Sequence, residues 1–394
     1  MLIKADQAFE MSYEGPRGTR KEEFRKVMEL VDSIFVSARE KGTSMEKGFP
    51  LLFNQRNLEN MRIFLLNGRP VSHIGLSVVE AFLYGCRLKI GMVGAVGTDP
   101  AHRGKGLAGN LLSDCMRKLL VEGADFVMVS GIRSLYDRAG CVMAGKVYSY
   151  DLTNEKAQEV LKRLAVPCRI QECDESQLDS LTSIYETEPI RYLRTREDFA
   201  ILLDETTYAR PRAFLIELGG KAIAYVCIET RWGEDDARWI VEFAGSRIAI
   251  VAAIPQLLER LGLKVLRLTV PHHDLELLGA LSSLERPKSS HFGGTMRLIN
   301  PQGFLEKLKP CLVSRIGERA NRLAITGGGA MISLDDVKLE FEDEKDLTWF
   351  LFGQPEIVEE RFTHFIRPLT FKYEAKMFAD VFPLPTFLYG LNYI

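Results

Sequence analysis

Long apolar segments, runs of like charge and paired cysteines are all missing from the sequence, and each absence excludes a class of protein. No uncharged apolar stretch approaches the ~20 residues of a membrane-spanning helix, and residues 1–14 have no apolar core of the kind that a secretory signal needs. The 51 lysines and arginines balance 53 aspartates and glutamates, which leaves no general positive field for a polyanion. We therefore expect neither a nucleic acid nor a membrane as a partner.

Cysteine usage predicts a reducing compartment. The seven cysteines form an odd set without a C-x-x-C pair, and most of them lie in apolar runs where a buried thiol is expected. We therefore predict free thiols and a cytoplasmic location. Apolar residues make up 46% of the 394 residues and charged residues 26%, which excludes disorder and predicts two or three globular domains.

Residues 1–152 have the pattern of a mixed α/β domain. Asn67-Gly68 separates two strand-like segments and is typical of a tight hairpin turn. The third strand changes its apolar phase near Gly91 and Gly94, which predicts a bulge that splays the sheet. The predicted elements are helix Lys21–Ala38, strands Met61–Leu66, Val71–Leu83 and Arg87–Thr98, helix Gly106–Val121, strand Ala124–Ser130, helical turn Ser134–Ala139 and a final strand Val142–Leu152.

Residues 153–300 repeat this order of elements. The second hairpin turn, Gly219-Gly220, stands 152 residues after the first. We interpret the repeat as a diverged internal duplication, although two α/β domains that merely share a common element order would give the same pattern. The predicted elements are strands Arg212–Leu218, Lys221–Thr230 and Ala237–Ala244, helix Arg247–Leu261 and strand Lys264–Val270.

Residues 301–394 predict a small α+β domain with an apolar tail. The tail, from Phe378 to Ile394, is rich in aromatic and aliphatic side chains, so we expect it to pack against the body and to place its terminal carboxylate at a defined point. The predicted elements are helix Phe304–Ile316, strands Leu323–Ile325, Ala330–Ile332 and Val337–Phe341, and a helix around Leu347–Phe352.

A glycine-rich segment between the third strand and the next helix has three competing interpretations. A Walker A loop is excluded because Lys105 is followed by Gly106 and not by Ser or Thr. Gly104-x-Gly106-x-x-Gly109 matches the spacing of a dinucleotide fingerprint, but Asp99–Arg103 intervene after the strand. The next strand also ends at Ser130 without the carboxylate that would hold a ribose.

The third interpretation fits the residues best. The segment Arg103–Ala108, with Pro100 ahead of it, resembles the acyl-CoA loop of the GNAT acetyltransferases, which reads Arg or Gln, two residues, Gly, one residue, then Gly or Ala. Small residues let backbone N–H groups converge on a pyrophosphate at the start of a helix, and Arg103 and Lys105 add positive charge. The alternative is a solvated basic turn. The resemblance implies that acetyl-CoA is held by Val96, Gly97, Thr98, Arg103, Gly104, Lys105, Gly106, Leu107 and Ala108.

Leu135–Val142 also resembles a GNAT segment, in which a short helix carrying a tyrosine precedes a glycine and a strand. The resemblance implies that Tyr136 is the general acid for the departing thiolate; the alternative is a packed tyrosine at a helix end. Backbone N–H groups near Val96–Thr98 would then stabilise the developing oxyanion.

The whole chain resembles the Eis-like (enhanced intracellular survival) acetyltransferases. The resemblance implies an α/β (α+β) fold, with two GNAT-like mixed-sheet domains in tandem, a small C-terminal sterol-carrier-like domain, and a homo-oligomer. The second copy reads Ala244–Ile250 at the loop position, without the motif, so one acyl-CoA site is implied. In that family the C-terminal carboxylate is a general base, which maps to Ile394 here; Glu80, on the first hairpin, is the second candidate.

These observations predict an acetyl-CoA-dependent N-acetyltransferase in which a primary amine attacks the thioester directly. A protein or peptide lysine acetyltransferase and a non-catalytic sensor of acyl-CoA or lipid remain alternatives. His272-His273-Asp274 resembles a ligand cluster, but without a third ligand at a useful spacing we expect a polar turn and no metal.

Overall fold

The computed structural model describes residues 12–36, 43–164, 166–231, 236–329, 331–357 and 378–394. The chain divides into two compact units. The first comprises Met1–Ser77 and Val93–Lys118, and the second comprises Val78–Met92 and Leu119–Ile394. Two long strands, β3 (Arg69–Leu83) and β4 (Cys86–Thr98), contribute residues to both.

The first unit combines antiparallel strands with helices. Its other elements are β1 (Glu14–Gly18), α1 (Phe24–Phe35), α2 (Met45–Gly48), β2 (Met61–Leu66) and most of α3 (Leu107–Val121). Strand β2 pairs antiparallel with both β1 and β3. The predicted hairpin is confirmed, because Asn67 and Gly68 have φ angles of 50° and 70°. The predicted first helix is also confirmed, and its expected end, Ala38, lies outside the described residues.

The irregularity predicted in the third strand is present one residue beyond the glycines. Ala95 has a φ of 49°, a left-handed conformation that is rare for a residue with a side chain. After the strand, α3 buries the predicted stripe of Leu107, Leu111, Cys115 and Leu119.

In the second unit, the end of β3 and the start of β4 belong to a sheet that is called the first sheet below. This sheet also includes β5 (Phe126–Ser130), β8 (Ile190–Tyr192) and β13 (Gly294–Leu298). Strand β8 pairs with the end of β3, and β13 pairs antiparallel with β5. The short helix α4 (Ser134–Arg138) follows β5, as the sequence predicts.

A separate six-stranded sheet, called the second sheet below, contains the predicted second hairpin. Its strands are β6 (Val147–Leu152), β7 (Arg169–Glu172), β9 (Arg212–Leu218), β10 (Lys221–Ile228), β11 (Ala237–Gly245) and β12 (Val265–Pro271), and its helices are α5 (Asn154–Leu161), α6 (Leu178–Glu186), α7 (Arg196–Leu202), α8 (Arg247–Leu261) and α9 (Leu275–Ala280). The strand order is β6-β12-β11-β10-β9-β7. The predicted succession of hairpin, strand, helix and strand is therefore confirmed.

Each of the two sheets contains a strand from the segment assigned to the other domain, which corrects the expectation that residues 1–152 form a sheet of their own. The strand expected over Val142–Leu152 begins only at Val147, and it pairs antiparallel with β12 of the second sheet instead of closing the first. Gly145, with a φ of 83°, turns the chain before β6 begins. The first sheet receives β13, from the segment assigned to the second domain, and Val142 keeps a single bridge to Met296 of that strand.

The C-terminal part is a small α+β arrangement. Its elements are α10 (Pro301–Ile316), β14 (Ala324–Thr326), β15 (Met331–Leu334), β16 (Val337–Glu340) and α11 (Glu344–Phe352). The three strands form an antiparallel sheet, close to the predicted bounds, although Ala330 lies outside the described residues. The packing expected of the tail is confirmed, since Phe378, Leu384 and Phe387 are buried. None of the described helices is both long and apolar enough to cross a membrane.

Candidate active site

Eight residues, Asp99–Gly106, connect β4 to α3 and are called the glycine loop below. The Asp99 N–H donates to the Val71 carbonyl over 2.9 Å, which ties the start of the loop to β3. The Asp99 carboxylate accepts the N–H of Ala101 over 2.8 Å and caps the single turn Pro100–His102. Arg103 Nε donates back to the Thr98 carbonyl over 3.2 Å. The loop is therefore built by local contacts that its own sequence encodes.

Two glycines give the loop its conformation. Gly104 and Gly106 have φ angles of 76° and 75°, and a Cβ on either would meet no atom within 4 Å. The first helical bond after them runs from the Asn110 N–H to the Gly106 carbonyl over 3.0 Å. The amides of Leu107, Ala108 and Gly109 therefore have no acceptor inside α3, and together with the helix dipole they favour an anion.

Positive side chains flank these amides. Arg103 and Lys105 are exposed, and Lys105 Nζ donates to the Tyr13 hydroxyl over 3.0 Å. The same hydroxyl lies 3.0 Å from His102 Nδ1, so Tyr13 connects His102 and Lys105 of the glycine loop. Tyr13 was missed by the sequence analysis because no local pattern connects it with a loop about 90 residues further on.

The end of β4 is tightly held. Val96 is buried, and a Cβ on Gly97 would stand 2.9 Å from Ile34 Cδ1 of α1, so any side chain there would require Ile34 to shift. Ser72 Oγ donates to the Gly97 carbonyl over 3.2 Å and lies 2.8 Å from Thr98 Oγ1. All nine residues predicted to hold the cofactor thus belong to one segment of the first unit, which is packed at Val96–Thr98 and exposed at Arg103–Gly106.

Tyr136 lies on α4 in the second unit, with 2% of its surface exposed. Burial raises the pKa of its phenol, the charge of Arg133 opposes this, and Cys141 and Tyr393 add to the increase. The Tyr136 carbonyl accepts the N–H of Cys141 over 2.9 Å, which closes the helix end. A phenol with a raised pKa keeps its proton at neutral pH and can give it to a leaving group.

The end of the C-terminal tail (Phe378–Ile394) is anchored by a buried ion pair. Arg194 and Glu242 form two bonds of 2.7 Å, and 1% and 7% of their side chains are exposed. Arg194 Nε also donates to Asn392 Oδ1 over 2.7 Å, and the Leu391 N–H donates to Glu242 over 3.1 Å. Both members of the pair therefore bind the tail directly.

These anchors bring the last residues close to Tyr136. Tyr393 interacts electrostatically with Tyr136, and its ring meets that of Tyr389 with centroids 5.4 Å apart. The phenol of Tyr389 is buried without a hydrogen-bond partner among the described residues, and burial raises its pKa. Ile394 is 8% exposed. Of the predicted catalytic residues, Tyr136 thus interacts with Tyr393, the residue that precedes Ile394.

Glu80 has different surroundings. Its carboxylate, 44% exposed, forms an ion pair with Arg87 across the β3–β4 hairpin. Its backbone carbonyl accepts the N–H of Leu193 over 2.8 Å. The Arg87 guanidinium thus binds Oε2, one of the two oxygens of this carboxylate.

The second copy lacks a glycine loop. One residue, Ser246, separates β11 from α8, where the first copy has eight. Arg247 binds Glu188 over 2.7 Å and Asp274 over 2.8 Å, and the Gly245 N–H donates to Glu188 over 2.7 Å. The chain's own carboxylates therefore occupy this strand-to-helix junction.

The His272-His273-Asp274 segment is a turn that ends in a helix cap. Asp274 accepts the N–H of Leu277 over 3.0 Å at the start of α9. The described residues include no group of three or more His, Cys, Asp or Glu side chains that could hold a metal ion. A cavity of about 650 Å³ lies beside this turn and includes Gly245, Glu188 and Leu388 in its lining, but neither Tyr136 nor the glycine loop.

The comparison with protein families agrees with the geometry of the loop. Residues 16–144 match the model of the acetyltransferase (GNAT) domain. Acetyl-CoA is the co-substrate of the acetyl transfer that this domain catalyses. No curated protein matches the chain in sequence.

Solved structures resemble the chain over most of its length. A conserved protein from Enterococcus faecalis, described as a probable N-acyltransferase, is 17% identical over 75% of each chain, with a TM-score of 0.59. A GCN5-related N-acetyltransferase from Anabaena variabilis is 16% identical over 75% of each chain, with a TM-score of 0.57. Eis1 from Mycobacterium abscessus is 14% identical over 84% of this chain and 85% of its own, with a TM-score of 0.54. Residues 16–144 thus form a GNAT acetyltransferase domain, in a chain that is an acyltransferase and resembles the Eis-like proteins.

Proposed function

We propose that the chain transfers the acetyl group of acetyl-CoA to a primary amine by direct attack on the thioester. The glycine loop binds the pyrophosphate through the free amides at the start of α3, and Arg103 and Lys105 add charge. The backbone of Val96–Thr98 stabilises the oxyanion of the intermediate. The amine nitrogen forms the new bond to the carbonyl carbon, and the carbon–sulfur bond breaks.

Three proton transfers accompany this step. An alkylamine has a pKa near ~10.4 and is mostly protonated at neutral pH, so a base must remove a proton before attack. We assign this role to the terminal carboxylate of Ile394, with Glu80 as the second candidate. Tyr136 then gives its proton to the departing thiolate, and the second proton of the amine nitrogen, which is released as the amide forms, restores the phenol. The observation that supports the assignment is the anchoring of Leu391 and Asn392, which lie close to Ile394 in the sequence, by Glu242 and Arg194.

The exposed ion pair of Glu80 with Arg87 argues for the terminal carboxylate over Glu80. A base needs a free lone pair, and the Arg87 guanidinium competes for it. The homo-oligomer and the sterol-carrier-like character of residues 301–394 stay predictions from the resemblance, and the cytoplasmic location stays a prediction from cysteine usage.

The proposed function is tested by following acetyl-CoA consumption with a panel of polyamines, aminoglycosides and lysine-containing peptides. Mass spectrometry of the acceptor identifies the acetylated nitrogen. We expect turnover on at least one amine. A clear preference for peptides would indicate a lysine acetyltransferase. Tight acetyl-CoA binding without turnover on any acceptor would contradict the proposal and indicate a sensor.

A further inference from the structure

His73 is a fully buried titratable residue that has no role in the reaction described above. It lies on β3, with 0% of its surface exposed, and its ring packs on Phe53 with centroids 5.7 Å apart. Desolvation lowers the pKa of the imidazole to about 4, so the ring is neutral at physiological pH. Nδ1 lies 3.1 Å from the Ala95 carbonyl, which can only accept, so Nδ1 carries the proton.

The other ring nitrogen is unsatisfied. Nε2 is buried and has no hydrogen-bond partner among the described residues. A buried acceptor without a donor destabilises the folded state, whereas a leucine of similar size would fill the space without this cost. The donor at Nδ1 is therefore the property that distinguishes histidine from an apolar residue at this position.

The acceptor of this bond is the strained residue of β4. Ala95 has a φ of 49°, and a non-glycine residue keeps such a conformation only where its surroundings impose it. Its carbonyl is held by His73, and the next three residues are Val96–Thr98. The conformation of Ala95 therefore determines the direction in which the cofactor-binding end of β4 continues.

A second side chain of β3 holds the same stretch. Ser72 donates to the Gly97 carbonyl over 3.2 Å and contacts the hydroxyl of Thr98. Consecutive residues of a strand direct their side chains to opposite faces. Ser72 and His73 therefore hold the end of β4 from two sides, one at Gly97 and the other at Ala95.

We propose that His73 is a positioning residue for acetyl transfer. Its Nδ1–H holds the Ala95 carbonyl and with it the left-handed turn that orients the backbone of Val96–Thr98 toward the thioester. This inference rests on the proposed function, because it assigns the purpose of the turn to stabilisation of the oxyanion. His73 itself touches neither acetyl-CoA nor the amine in this account.

Two variants separate positioning from stability. His73→Leu removes the unsatisfied Nε2, which favours the folded state, but also takes the donor from the Ala95 carbonyl, which opposes it, so we expect a thermal midpoint close to that of the wild type. His73→Asn is smaller and leaves a cavity, but its amide can still donate to Ala95. We expect kcat to fall about 10- to 100-fold in His73→Leu and to stay within about threefold of the wild type in His73→Asn.

The measurements are kcat with the best amine, the calorimetric Kd of acetyl-CoA and the thermal midpoint of each chain. The Kd should change less than about threefold in both variants, since only the transition state needs the oriented amides. A His73→Leu chain with wild-type kcat would overturn the positioning role. So would kcat values that fall in proportion to the loss of thermal midpoint, whether or not the variant keeps a donor for the Ala95 carbonyl. Failure of the wild type to acetylate any amine would contradict the proposed function instead, so the two outcomes are distinguishable.

Discussion

At the scale of single residues, the glycine loop depends on backbone conformations that only glycine adopts without strain. Gly104 and Gly106 have left-handed φ angles and face open space, so a side chain there strains the backbone and covers the approach to the amides. We expect a Gly104→Val, Gly106→Val chain to fold and to bind acetyl-CoA at least about 100-fold more weakly, measured by calorimetric titration.

Gly68 provides the matched control for that variant. It has a φ of 70°, and a Cβ there would also meet no atom within 4 Å, but it lies in the β2–β3 turn. Gly68→Val should therefore add similar strain and leave the affinity for acetyl-CoA unchanged. Undiminished affinity in the folded loop variant would refute the assignment of the glycine loop.

The hydroxyl of Tyr136 is the second test at this scale. Tyr136→Phe keeps the buried ring and removes the proton that the thiolate receives. We expect the Kd of acetyl-CoA to stay nearly constant and kcat to fall by about 10² to 10⁴, the usual contribution of a positioned acid. The measurement is single-turnover kinetics, in which chemistry limits the rate. An unchanged rate would return Tyr136 to a packing role.

At the scale of elements, the C-terminal tail depends on the ion pair beneath it. Glu242→Gln leaves the Arg194 charge buried without its partner and weakens the acceptor of the Leu391 N–H. Loss of one partner of a buried pair typically costs about 3 to 5 kcal/mol, so the thermal midpoint should fall and carboxypeptidase should remove the last residues faster.

Glu172→Gln is the control for this element. Its ion pair with Arg212 is more exposed, at 33% and 39% of the side chains, and such pairs contribute about 0 to 1 kcal/mol. A Glu242→Gln chain as stable and as resistant to carboxypeptidase as Glu172→Gln would show that the pair does not hold the tail.

The elements that the sequence predicts are those specified by local chemistry. Asn67-Gly68 and Gly219-Gly220 adopt the left-handed φ angles that tight turns need, and periodic apolar residues locate α1, α3 and α8. The short elements of residues 178–202 were not predicted, although a capping box of Thr195 and Asp198 marks the start of α7. The irregularity of β4 was predicted from the change of apolar phase near Gly91 and Gly94, whereas the left-handed φ of Ala95 and its contact with His73 were not.

The candidate site also contains some residues that the sequence indicates and others that only the structure reveals. The glycine loop and Tyr136 were selected because two short segments resemble those of the GNAT acetyltransferases, and their roles stay predictions. The residues that support the site come from distant parts of the chain: Arg194 and Asn392 are 198 positions apart, and Tyr13 and Lys105 are 92 apart. No period or motif links such pairs, and only the fold reveals them.

At the scale of the whole molecule, the exchange of strands ties residues 1–152 to the rest of the chain. A fragment of residues 1–152 lacks β13, which leaves the edge of β5 unpaired, and its β6 has no β12 to pair with. We expect this fragment to aggregate alone and to co-purify with residues 153–394 when both are expressed together, as size-exclusion chromatography would show. A monomeric fragment that unfolds cooperatively on its own would contradict the exchange.

The central claim is that the terminal carboxylate of a tail held beside Tyr136 is the base of an acetyl transfer. Its most direct test compares kcat of the natural chain with that of a chain whose Ile394 ends in a carboxamide, made by ligation, with Glu80→Gln as the matched control. The amide removes one charge and no side chain, so the thermal midpoint and the Kd of acetyl-CoA should not change. The account predicts that the amide lowers kcat by about 10² to 10⁴ and that Glu80→Gln has little effect. A carboxamide chain that turns over as fast as the natural one would contradict it.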